Sequence, residues 1–158
     1  MVAAHPTLRA AIAVAVVVAG CAAEPTQELA IPSADPTVFR DRVYPILLRD
    51  CGFTTCHGDP KRFFAVFGPG RVRLEPDTTD IYDPATPYEI ALSYTRARSM
   101  LFGPGGPQTS LLVRKPVPLA EGGAGHEGDD VWGAPVYLST ADARYVTLYR
   151  WATTQGVR

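Results

Sequence analysis

The amino-acid sequence predicts a mostly α-helical domain, with strands absent or minor. Three observations carry this. Apolar residues recur at helical spacing in separate stretches over residues 39–47, 90–101 and 145–152. Helix-starting side chains stand just ahead of each stretch. The connections between them, residues 58–85 and 116–138, are rich in glycine and proline.

The first segment is not part of that fold. Arg9 precedes an unbroken apolar run from Ala10 to Ala19, too short to span a bilayer and suited to the hydrophobic part of a secretory signal. Val18-Ala19-Gly20-Cys21 resembles the lipobox of bacterial lipoproteins. The resemblance implies a signal peptide over residues 1–20, cleavage before Cys21 and lipidation of its thiol. The mature chain is then anchored to a membrane through its N-terminal lipid. Residues 21–34 contain two prolines and no sustained period, as a tether would. The domain proper is expected over residues 35–158. Taking Arg9 away leaves 14 of the 15 basic residues against 16 acidic ones, a net charge of 14 − 16 = −2. No basic stripe of the kind that grips phosphate backbones is present, so nucleic acid is not expected as a partner.

Helix one is expected to start at Asp35-Pro36, an N-cap acceptor followed by proline where no amide donor is missed. Phe39, Val43, Ile46 and Leu47 form its buried face. Pro45 should kink it by removing a bond to the carbonyl of Asp41. The helix should end near Cys51, with Gly52 in a left-handed cap. Thr86-Pro87-Tyr88-Glu89 is a capping box opening helix two, expected from Pro87 to Leu101 with Ile90, Tyr94, Ala97 and Leu101 inward. A short helix over Ser110–Lys115 is stopped by Pro116. The last helix should open on Ser139-x-x-Asp142, bury Tyr145, Leu148, Tyr149 and Ala152, and stop at Gly156. Connections as long as 58–85 and 116–138 are uncommon unless they serve a site. Phe-Gly-Pro-Gly, at 67–70 and 102–105, reads as two turns.

The chemistry concentrates in Cys51-Gly-Phe-Thr-Thr-Cys56-His57-Gly58. Two thiols followed directly by histidine is the order that holds a covalent haem: the thiols reach two vinyl groups and the imidazole reaches the iron. The usual spacing has two residues between the cysteines, and this chain has four, so the loop must bulge. With the Cys21 thiol lipidated, Cys51 and Cys56 are the only cysteines whose thiols remain, and an oxidising compartment seldom leaves such a pair free. Either a cofactor or a disulfide between them should consume both.

With these elements the chain resembles a bacterial c-type cytochrome domain of the secreted and lipoprotein kind. The likeness runs over residues 36–156: Phe39 to Leu47 leading into Cys51-x4-Cys56-His57-Gly58, then Ser110-Leu-Leu, His126-x-Gly128 and Tyr145-x-x-Leu148-x-x-Trp151. It implies a small cytochrome c-like helical domain with long Gly/Pro-rich loops, one haem c, and electron transfer to a redox partner protein in the cell envelope, on its periplasmic side or at the surface. Cys51 and Cys56 are then the thioether sites and His57 the proximal ligand. The first and last helices would cross where Phe39 or Tyr44 meets Tyr149 or Trp151. The sixth iron ligand falls to histidine or methionine. Outside the signal these are His126, in a glycine-rich loop, and Met100, near the end of helix two; His126 ranks first. Arg114 and Lys115 stand either toward haem propionates or on a solvated face.

The rival reading is a non-enzymatic surface lipoprotein with a Cys51–Cys56 disulfide and no haem. It accounts for the cysteines equally well but not for the histidine that follows them. Zinc would find suitable ligand types in Cys51, Cys56, His57 and His126, but adjacent Cys56 and His57 sit awkwardly round one tetrahedral ion. Thioredoxin-like chemistry needs two intervening residues. No serine-histidine-acid order or carboxylate pair points to a hydrolase.

Overall fold

The computed structural model describes Met1 and residues 33–77, 79–125 and 134–154. Cys21, His126 and Gly156 lie outside these residues, as do the signal segment and most of the tether. Of the described residues 43% are helical and none is in a strand, the mostly α architecture expected. No helix among them is long and apolar enough to cross a membrane.

Helix α1 is one continuous rod made of Pro36–Val38, a π-helical turn Phe39–Val43 and Tyr44–Asp50. Asp35 caps it, Oδ1 accepting from the amides of Thr37 at 2.7 Å and Val38 at 2.9 Å. Just before Pro45, where the sequence predicts a kink, the backbone widens, the amide of Tyr44 reaching back five residues to the carbonyl of Phe39. A π turn is the way a helix absorbs a residue that cannot donate and whose ring crowds the preceding turn.

Helix α2, Pro87–Ser99, opens on the full capping box, Thr86 and Glu89 each bonding the other's amide. Helix α3 is the single turn Leu111–Arg114, and α4 is Ala143–Thr153. The last helix starts later than Ser139 suggests. Ser139 accepts from Ala141 and Asp142 in a preceding turn, and Asp142 is the cap, accepting from Arg144 at 2.9 Å.

Phe39, in the first part of α1, meets Trp151 of α4 at 5.2 Å between ring centroids and Tyr94 of α2 at 5.3 Å. Of the four aromatic pairings the sequence allows, Phe39 with Trp151 is thus one the fold makes. Each such pair is worth about 0.5–1.5 kcal/mol beyond area burial. Tyr149 corrects the sequence reading: it is exposed and stacks on Tyr145, while Trp151 takes the inward position. The indole Nε1 of Trp151 donates to the carbonyl of Asp35, and the Tyr94 hydroxyl to that of Ala34, which pins the start of the domain.

The connection over 59–86 is far from loose. Phe64, Ala65, Val66 and Phe67 are all buried. The Tyr44 hydroxyl donates to the Phe67 carbonyl at 2.6 Å, and the Phe67 amide donates to Ser93 of α2. Arg73 and Glu89, both nearly inaccessible, form a two-armed ion pair at 2.8 and 2.9 Å. Arg73 also donates to the carbonyls of Asp80, Asp83 and Pro84. The Arg73 guanidinium thus ties the later part of the loop to α2.

Candidate functional site

The segment over residues 51–58 begins where α1 runs out. The amide of Cys51 makes the last helical bond, to Leu47 at 2.9 Å. The chain then folds back: the amides of Cys56 and Gly58 both donate to the carbonyl of Phe53, and the amide of His57 donates to that of Cys51 at 2.9 Å. These bonds absorb the two extra residues of the bulge and bring His57 back beside Cys51. Arg71 braces the turn from outside, its guanidinium over the Phe53 ring at 4.0 Å and its Nε donating to Leu48.

Gly52 serves this turn differently from the way the sequence suggests. It is not left-handed. It is needed for space, since a β-carbon there would lie 2.7 Å from the Leu48 carbonyl oxygen. Gly58 is tighter still: its β-carbon would run into the Gly52 carbonyl oxygen and stand 2.8 Å from the carbonyl group of Phe53. All three obstacles are backbone. Gly58→Ala is expected to destabilise the protein by about 1–3 kcal/mol, the usual cost of overpacking, read as a lower urea midpoint at unchanged slope.

His57 is held at both ends of its backbone and at its ring. Its carbonyl accepts from Val66 at 2.8 Å, its ring lies 4.6 Å from that of Phe64, and its Nδ1 is 3.0 Å from the Phe64 carbonyl oxygen. A carbonyl can only accept, so in the neutral ring Nδ1 carries the proton and Nε2 carries the lone pair. That is the tautomer a metal-binding imidazole needs, with the backbone oxygen in the orienting place that outer partners take at metal sites.

Cys51, Cys56, His57 and Met100 line a single cavity. Its free volume is about 50 Å³, well below the roughly 300–1,000 Å³ of small-molecule and cofactor sites, so a large group would enter only if these walls moved apart. Leu47 and Leu148 come from the two crossing helices, Phe64 from the long connection, Leu111 and Leu112 from α3, and Val136 and Tyr137 from the segment before α4. Asp50 and Lys115 are its charged members. Arg114 instead donates to the carbonyl of Gly123.

Both thiols are free. Burial, followed by the charge of Asp50 and then by Cys56, pushes the Cys51 thiol up to about 12, so it is a poor spontaneous nucleophile. Among the described residues no three His, Cys, Asp or Glu side chains converge on a metal-sized point. The donor set is instead two thiols and one imidazole on a mainly apolar wall, ligand types that suit a group held through sulfur and nitrogen, although the hollow as it stands is smaller than a macrocycle. Sequence reasoning missed Tyr137, Asp50 and Phe64 as walls. The apolar run Phe63–Phe67, inside a segment read as a connection, was the available signal for the last of them.

No protein-family model matches the chain, and no curated protein or solved structure is found similar to it. Function must be argued from the residues themselves.

Proposed function

We propose that the mature chain binds one haem c covalently and serves as a small electron-transfer lipoprotein of the cell envelope, cytochrome c-like in fold, passing electrons to a redox partner protein. The observation that carries this reading is the meeting of Cys51, Cys56 and His57 on one apolar cavity, with the imidazole already oriented by the Phe64 carbonyl. When bound, such a group supplies an iron that takes up and gives back one electron.

The chain's own residues have simple tasks. Cys51 and Cys56 would hold the group through thioethers, each thiol adding its sulfur to one carbon of a vinyl double bond and its hydrogen to the other with no net oxidation. His57 would hold the iron through Nε2. Leu47, Phe64, Leu112 and Leu148 would keep water from it, and a dry surround is one of the ways a protein tunes such a centre. The sixth position falls to Met100, which lines the same cavity, or to His126. Lipidation of Cys21 would hold the domain at the membrane.

Intact mass of the mature protein from a host able to attach haem tests the reading. A gain of one whole haem supports it. A loss of two hydrogens, from a Cys51–Cys56 disulfide, overturns it in favour of a non-enzymatic surface lipoprotein.

A further inference from the structure

The cavity wall holds one charged group for which thioether and iron attachment have no use. Asp50 is the last residue of α1, directly before Cys51, and its side chain is only 7% exposed. Its carboxylate is gripped from three directions. Arg49 donates from Nε at 2.7 Å and Nη2 at 3.1 Å, Arg144 of α4 from Nη1 at 3.4 and 3.5 Å, and the hydroxyl of Tyr137 at 3.3 Å. Arg144 is itself fixed by Asp142 at 2.6 Å and lies over the Tyr137 ring at 5.1 Å.

Stability alone gives this arrangement little reason to exist. The C-terminal end of a helix favours cations, so an aspartate there works against the helix dipole. Burying it adds a desolvation cost that its pairings only offset. Arg49 remains more than half exposed to water, whereas Asp50 faces the cavity. A charge in a low-dielectric wall acts over a longer range than one on the surface. Cys51 already registers it, since Asp50 is the second cause of its raised thiol after burial.

We propose that Asp50, positioned by Arg49, Arg144 and Tyr137, sets the reduction potential of the centre in this cavity: its fixed negative charge favours the oxidised form, which carries one more positive charge, and so holds the potential down. The inference rests on the haem reading. It assigns Asp50 a tuning role, without contact to the reacting atoms.

Spectroelectrochemical titration of the haem-loaded protein at pH 7 tests it. Asp50→Asn keeps the shape and removes the charge. It is expected to raise the ratio of reduced to oxidised protein about tenfold at a given applied potential, equivalent to ~59 mV for one electron. Arg144→Gln uncovers Asp50 and should move the ratio the opposite way. An Asp50→Asn protein with an intact haem spectrum and unchanged potential overturns the inference and leaves the haem reading standing. A wild-type protein with no haem spectrum overturns both. Should Asp50→Asn fail to accumulate, Arg144→Gln decides: a fall in potential supports the proposal, and no change overturns it.

Discussion

His57→Ala is expected to abolish the haem spectrum of the mature protein, the largest functional effect of any single replacement in this chain. The imidazole is the one ring that follows the thiols, and the loop bonds from Cys51 and Val66 and the ring bond to Phe64 leave it little freedom to be replaced by a neighbour. A purely structural injury would look different. Free imidazole added at millimolar concentration should enter the space left by the side chain and restore the absorption bands, because the chemistry lost is a ligand and not the fold. An unchanged spectrum in His57→Ala sinks the assignment; failure of rescue in a protein whose far-ultraviolet circular dichroism is also lost points to the fold instead. The sixth ligand is read by the same spectroscopy. Replacing Met100 and His126 separately should shift the reduced bands in only one variant. A shift in Met100→Leu alone identifies a Met/His pair, with the higher potential that such pairing brings.

How far the sequence anticipates this site depends on how local each determinant is. The cap at Asp35 and the capping box at Thr86 and Glu89 are written within a few neighbouring residues, and each is found in place; the order Cys51, Cys56, His57 is as local, and the three line one cavity. Pro45 is also local, and the π turn Phe39–Val43 stands directly before it, a widening that helical spacing does not express. What could not be read is what pairs across the chain. Glu89 looks like an ordinary third-position glutamate until Arg73, sixteen residues upstream, is folded onto it. Asp50 looks solvated until Tyr137 and Arg144 arrive from the far end of the sequence. Met100, placed second to His126 because a methionine near the end of helix two reads as core, gains its position on the cavity from the packing of α2, which no spacing rule expresses.

Removing the carboxylate of Glu89 should cost more stability than any cap in the protein, about 3–5 kcal/mol, the range for breaking a buried ion pair by deleting one partner. A domain of this kind is stable by roughly 5–15 kcal/mol in all, so Glu89→Ala is expected to stand close to unfolding. The reason lies in what is left behind. Arg73 would keep its charge in a site where its side chain is 3% exposed, its remaining hydrogen bonds among the described residues going to the carbonyls of Asp80, Asp83 and Pro84. Glu89→Gln, which preserves volume, should recover little, because the missing element is charge. Burial by itself pushes the Glu89 carboxyl up, but the hydrogen bonds from Arg73, then those from the amides of Thr86 and Leu74, outweigh it and hold it below the usual carboxylate range. A group with a depressed folded value contributes in full above its unfolded value, near 4.3, and loses that contribution as pH falls through the lower folded one. Urea unfolding followed by circular dichroism should therefore show wild-type stability falling as pH drops below about 4.3, and a shallower fall in Glu89→Gln. A Glu89→Gln loss under about 1 kcal/mol at pH 7 would mean that water reaches Arg73 and that the clamp on the 59–86 connection is not the buried pair described above.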